Sequence, residues 1–240
     1  MIKNIFEKTM NPHCKNCSNK ACFINQFCSP QWRKTLGDKI TTIKIKSGQQ
    51  IIHEGTKVTG VYFIYSGKIK VFKNLNHQED QILRLAKSGD IFGHRGYGLD
   101  KYPISAAAIE DATVCHIDND LFFATLKENP ELTYNLMMLY ASELKKAEAR
   151  VYGFAKMSVK ARIADILIQI QDSHGFVPNK KGLLDIKIAR KDLANMATTT
   201  YETTLRVLAE LTKARLIGFE GKRIKLLDLG GLERVRMSAE

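Results

Sequence analysis

The chain has 240 residues, 44% of them hydrophobic, enough to build two globular domains, and no apolar run approaches the roughly 18 residues that span a bilayer. A formal net charge of +12 favours a polyanionic partner, because binding releases the counterions held by phosphates; charge alone leaves DNA, RNA and an anionic membrane open. Residues 1–12 carry neither an apolar core nor a small-residue cleavage site, so export is not expected and a cytoplasmic location is.

Four of the five cysteines fall in the first 28 residues, as Cys14, Cys17, Cys22 and Cys28, and the fifth, Cys115, stands alone. In a reducing compartment such residues are thiols or metal ligands rather than a disulfide framework, and an odd count leaves one unpaired in any case. Thiolates this close in sequence converge readily on one metal, and Cys115 completes their coordination sphere only if the fold returns it to them. A metal or redox centre is therefore the first functional expectation.

From Thr41 to about Ile117 the chain reads as short strands. Ile43-Lys44-Ile45-Lys46 alternates, and similar segments follow at 50–52, 61–65, 68–72, 81–85 and 113–117. Gly48, Gly55, Gly60, Gly67, Gly89 and Gly93 punctuate them at the spacing of an antiparallel roll. After Pro130 the period becomes helical. Met137, Tyr140, Leu144, Ala147, Val151 and Phe154 alternate intervals of three and four, the a/d seam of a coiled coil. Leu132, Leu136 and Leu139 lie on an adjoining face that suits packing on the roll. Two apolar faces on one helix predict a homodimer built on the seam; burial of the same stripe within one chain is the alternative.

A helix over 160–172 and a Gly/Pro/Asn break over 175–182 precede two short helical segments, 191–197 and 201–211, separated by three threonines. Two short helices joined by a tight turn make a helix-turn-helix unit whose second member enters the major groove. Thr200 is placed as the N-cap of that helix, although Thr198 and Thr199 also satisfy the pattern. Residues 218–226 read as a two-stranded wing.

In order and spacing these segments together resemble the CRP/FNR superfamily of bacterial transcription regulators, over residues from about 14 to 229. The carriers are Ile45-Lys46-Ser47-Gly48-Gln49 with Glu54-Gly55, the turn Tyr65-Ser66-Gly67-Lys68-Ile69-Lys70, Ser88-Gly89-Asp90-Ile91-Phe92-Gly93, and Arg190-Lys191-Asp192-Leu193-Ala194 leading to Glu202-Thr203-x2-Arg206. The resemblance implies an α+β chain: an N-terminal double-stranded β-helix (a jelly roll like that of cyclic-nucleotide-binding domains), a long dimerisation helix and a C-terminal winged helix-turn-helix domain. It divides the chain into a cysteine-rich segment and helix at 1–40, a sensor roll at 41–127, the dimerisation helix at 128–156 and the DNA-binding domain at 157–240.

The FNR branch of that superfamily holds an oxygen-labile 4Fe–4S cluster on three N-terminal cysteines and one from a late strand of the roll. Here that strand is Thr113-Val114-Cys115-His116-Ile117. The branch spaces its N-terminal ligands as C-x2-C-x5-C, whereas this chain has x2 and then x4 to Cys22. Counted back from Gly48, Cys22 falls at the third ligand, so the implied set is Cys14, Cys17, Cys22 and Cys115, with Cys28 as the substitute. Four thiolates also satisfy a structural zinc, and buried thiols without a metal are the plain alternative.

The CRP branch binds cyclic AMP through a glycine followed by glutamate, with an Arg-Ser pair further on. Here Gly93 is followed by His94 and the pair reads Ile104-Ser105, so the cyclic phosphate lacks its bidentate partner and cyclic AMP is not expected. His94 and Arg95 suit the binding of some other anion, or more plainly a solvated loop.

Glu202 and Arg206 stand four residues apart, at positions the family uses for base contacts. Glutamate accepts from cytosine N4 and arginine donates to guanine O6 and N7, which suits a G·C pair in each half-site; the same spacing also makes an ordinary surface bridge. Tyr201 and Leu205 replace residues that are small, polar or arginine in the family. Thr200 and Thr203 suit caps or phosphate contacts, and Lys191, Lys213 and Lys222 suit contacts to the DNA backbone. The expected partners are an inverted-repeat duplex, a second copy of the chain and, by resemblance, RNA polymerase. The seam contains no carboxylate, so nothing in it drives a cluster-free protein to the monomer. His13, His53, His77, His94, His116 and His174 show no ligand spacing such as H-E-x-x-H, and no enzyme is expected.

Overall fold

The computed structural model describes residues 14–75 and 79–238; His13, His77 and the 1–12 segment read above lie outside them. The chain divides into two compact units, Met1–Gln78 with Leu83–Ser142 and Glu79–Ile82 with Glu143–Glu240.

The first unit opens with a single 3-10 turn at Cys14–Asn16 and two short helices, α1 (Phe23–Phe27) and α2 (Pro30–Gly37). Eight strands follow: β1 (Thr41–Ile45), β2 (Gln50–Ile52), β3 (Gly60–Ser66), β4 (Lys68–Leu75), β5 (Glu79–Lys87), β6 (Ile91–Phe92), β7 (Ser105–Ala108) and β8 (Ala112–Asp118). They form two four-stranded sheets, ordered β1-β8-β3-β6 and β2-β7-β4-β5, which is the expected jelly roll. Gly60 sits in β3 against the backbone of β8, where a Cβ would lie 2.0 Å from the Ile117 carbonyl oxygen; no other residue fits that approach.

Alternation along two strands sorts the side chains between two cores. Tyr62 and Ile64 of β3, with Ala112 and Val114 of β8, point into the roll. There Tyr62 stacks on Phe92 with ring centroids 5.1 Å apart, and the buried Tyr102 hydroxyl donates to the Gly60 carbonyl at 2.7 Å. Val61 and Phe63, with Cys115 and Ile117, point the other way, into a second core. The N-terminal helices close that core together with α3 (Asn119–Glu128) and the first turns of α4 (Pro130–Lys156).

On α4, Leu132 and Leu136 are buried in this second core and Leu139 packs against it, as the adjoining apolar face predicts. Met137, Tyr140, Leu144, Ala147, Val151 and Phe154 are all exposed in the single chain. Two of these six are nevertheless engaged within the chain. The Tyr140 hydroxyl donates to the His94 carbonyl at 2.7 Å, and the Arg162 guanidinium lies 5.9 Å from the Phe154 ring. His94 is not the solvated residue expected: it is 2% exposed. Gly93 turns the chain in the left-handed region, at φ 80°, and the Tyr140 ring covers the imidazole edge-on at 5.2 Å.

The second unit carries α5 (Val159–His174), α6 (Arg190–Met196), α7 (Tyr201–Lys213), the hairpin β9 (Ile217–Glu220) and β10 (Arg223–Leu226), and α8 (Leu229–Met237). The Thr200 hydroxyl accepts from the Thr203 amide at 3.1 Å, which settles which threonine caps α7. Thr198, in the turn between α6 and α7, has φ 49°. A β-branched residue in the left-handed region costs on the order of 1–3 kcal/mol, whereas glycine there costs only about 0.5–1 kcal/mol of extra unfolded-chain entropy. Thr198→Gly is therefore expected to stabilise this unit by about 1 kcal/mol, read as a higher urea midpoint; a lower midpoint would contradict the assignment of strain to this turn.

Candidate cysteine centre and DNA-binding helix

The fold returns Cys115 to the N-terminal thiols. Cys14, Cys17, Cys22 and Cys115 line one recess, with Asn19, Ile24, Ile40, Phe63 and Tyr65 as its other walls. Cys14, Cys22 and Cys115 are buried and Cys17 is half-buried. The recess holds about 320 Å³ of empty space, open solvent included. Among the described residues, no three Cys, His, Asp or Glu side chains are placed to hold a single metal ion.

Burial holds these thiols protonated, with repulsion between neighbouring thiolates added to it. Cys115 is pushed up to about 12, by desolvation first and then by Cys22 and Cys17. Desolvation raises Cys14 further, helped by Cys115, Cys22, Cys17 and Cys28. Cys22 is raised by burial against backbone hydrogen bonds from Asn25 and Ile24 that lower it. Thiols whose ionisation is opposed by burial and by one another ionise together only when a cation takes up their charge.

Cys28 is brought near this set and yet stands apart from it. It is not part of the recess wall; its thiol donates to Asn129 Oδ1 at 3.5 Å, and burial pushes it up to about 11 while Arg33 lowers it. The same Asn129 oxygen accepts from the Ser29 amide at 2.9 Å, and its amide group donates to the Thr125 carbonyl at 2.8 Å. Cys28 thus borders the joint between α3 and α4.

Asn19 was not legible as a site residue. Its amide group donates to the carbonyls of Ile64 at 3.2 Å and Tyr65 at 3.0 Å and to Ser88 Oγ at 3.0 Å, and its Oδ1 accepts from the Ala21 amide at 3.1 Å. These bonds pin the cysteine loop to two turns of the roll. Gly89 lets the loop approach: at φ 98°, a Cβ there would lie 2.6 Å from the Ala21 carbonyl oxygen. No local signal marks the link of Asn19 to the roll, because the acceptors of its side-chain NH2 group are 45 to 69 residues away.

In the second unit, α7 buries Thr204, Val207, Leu208 and Leu211, the i, i+3, i+4, i+7 stripe of a helix seated on its own domain. The opposite face exposes Tyr201, Glu202, Leu205 and Arg206. Among the described residues, no ion pair joins Glu202 to Arg206, so their spacing is not spent on a surface bridge. Thr203 is half-buried and tied to the cap, its Oγ1 accepting from Thr200 Oγ1 at 3.0 Å. Lys191 is exposed in the first turn of α6, Lys213 at the end of α7 and Lys222 in the turn of the wing. The Arg190 guanidinium lies 4.5 Å from the Phe219 ring and ties α6 to the wing.

Comparison with known proteins matches both units. Residues 42–129 fit the cyclic nucleotide-binding domain and residues 161–235 the Crp-like helix-turn-helix domain. The anaerobic regulatory protein of Haemophilus influenzae is 28% identical over 226 residues, covering 92% of this chain and 86% of that protein. The fumarate and nitrate reduction regulatory protein of Vibrio cholerae is 26% identical over 225 residues, covering 90% and 87%. Among solved structures, FixK2 from Bradyrhizobium japonicum superposes with a TM-score of 0.74 at 22% identity, over 84% of this chain and 99% of that one; this likeness speaks for the fold alone.

Proposed function

We propose that this chain, a member of the CRP/FNR family of transcription regulators, is a homodimer whose DNA affinity follows the state of an iron–sulfur cluster. As a member of that family it is a DNA-binding transcription regulator rather than an enzyme.

The observation that carries the cluster is the meeting of four thiols from two distant segments around one apolar-walled recess. A cubane places each of four cysteine thiolates on its own iron, so its ligands need not crowd as the four sulfurs of one tetrahedral zinc must. The four thiols surround a shared space, an arrangement that a cluster spanning four irons can use. Cys14, Cys17, Cys22 and Cys115 would hold it, with Cys28 left to Asn129. When bound, such a group supplies an oxygen-labile iron centre of adjustable potential. Relatives named for anaerobic regulation and for fumarate and nitrate reduction support that reading. The roll itself takes up no cyclic nucleotide in this account. Tyr62, Phe92 and Tyr102 fill its interior, and Ile104 stands where a phosphate-binding arginine would be needed.

The chain's own residues supply the coupling. Cys14, Cys22 and Cys115 share one core with Phe122, Leu132 and Leu136, so any change in how the thiols are held is felt by the first turns of α4. That helix is continuous to Lys156 and presents the exposed Met137–Phe154 seam on which a second copy would pack. Dimer geometry sets the spacing of the two α7 helices, hence the affinity for an inverted repeat; contact with RNA polymerase follows from family resemblance.

Protein made and kept without oxygen should be coloured and carry about four iron per chain. Cys115→Ala should lose the iron and Cys28→Ala should retain it. A colourless anaerobic preparation with stoichiometric zinc would end the iron–sulfur reading. Separately, Leu144→Glu should place like charges against each other across a two-fold axis and give monomers that no longer bind an inverted repeat; an unchanged dimer in sedimentation would place the interface elsewhere.

A further inference from the structure

The exposed face of α7 is built as two parallel rows of different chemistry. One row is polar, with Glu202 and Arg206 one turn apart, and it ends where Glu210 pairs with Lys160 of α5 at 3.1 Å. The other is apolar: Tyr201 and Leu205, also one turn apart, are 47% and 41% exposed, and Ala209 continues the row. Adjacent positions on a helix differ by about 100°, so the rows run side by side along the axis. The Thr200 cap fixes the first turn of the helix, so Tyr201 emerges at a set position at its start.

In the major groove, one feature of a base edge offers apolar contact: the 5-methyl group of thymine. Resting on the reading of α7 as the recognition helix, we propose that Tyr201 and Leu205 read thymine methyls next to the G·C pair read by Glu202 and Arg206. Each half-site then combines one hydrogen-bonded G·C pair with at least one neighbouring thymine, and the apolar row supplies specificity that Glu202 and Arg206 do not. The chemistry suits a helix face on a chain of net charge +12: the basic surroundings hold the phosphates, and the two apolar side chains lose water only over a methyl-bearing step.

Replacing thymine by uracil removes the methyl group and leaves every hydrogen-bonding edge intact. The probe is the inverted-repeat duplex recovered from random DNA by binding-site selection on the full-length protein, with each thymine of a half-site changed to uracil in turn. The selected site should contain thymine within two base pairs of the G·C pair, and uracil there should weaken binding by about four-fold per methyl lost. The double variant Tyr201→Ser, Leu205→Ser should bind more weakly and be indifferent to that uracil, with an unchanged circular dichroism spectrum reporting an intact fold. A selected site without such a thymine, or equal sensitivity to uracil in the wild type and the double variant, would overturn the proposal. Arg206→Ala on the same duplex separates the two readings. If it relaxes the G·C preference while uracil has no effect, α7 remains the recognition helix and only the methyl readout fails. If it weakens every sequence alike, the recognition-helix reading falls as well.

Discussion

The alternation of β8 is the constraint on which the rest depends. A strand sends successive side chains to opposite faces, so the register that puts Ala112 and Val114 inside the roll must put Cys115 outside it. There it meets Cys14 and Cys22 and the leucines that open α4. A shift of one residue would turn Cys115 into the roll and dissolve the constellation. Pairing on both sides of β8 fixes that register: Cys115 lies opposite Thr42 of β1 and Phe63 of β3.

Over residues 14–40 short helices alternate with loops, and side-chain hydrogen bonds join this stretch to the roll and to α3 beside its buried contacts. Asn19 fastens the cysteine loop to the roll, while Asn129 and Thr125 fasten its far end to α3: Trp32 Nε1 donates to Thr125 Oγ1 at 2.9 Å. Such polar tethers are satisfied in place and contribute about 1 kcal/mol each, far less than the sheet pairing behind them.

Much of this was legible from the residues. The strands with clear alternation, the period change at Pro130, the two faces of α4 and the helical pair near the C-terminus all rest on spacing, and spacing survives folding. The parts that were not legible have physical reasons. β6 has only two residues, and β7 is Ser-Ala-Ala-Ala, without the branched or aromatic side chains that mark a strand. The site residues Asn19 and Asn129 act through partners far away in sequence. Tyr140 has a seam position in the heptad, and only the turn at Gly93 brings the His94 carbonyl within reach of its hydroxyl. Three adjacent threonines offered three caps, and the structure chose Thr200.

The proposed function joins thiols that share a core with the first turns of α4 to a helix that would read DNA, the state of the thiols governing operator affinity while the dimer stays intact. The direct measurement is operator binding by one anaerobic preparation before and after brief exposure to air, with iron content and sedimentation followed on the same samples. The account predicts that affinity falls by a factor between about 5 and 150 as iron is lost, the range of ordinary allosteric coupling, while the protein stays dimeric. Loss of iron with unchanged affinity would contradict it.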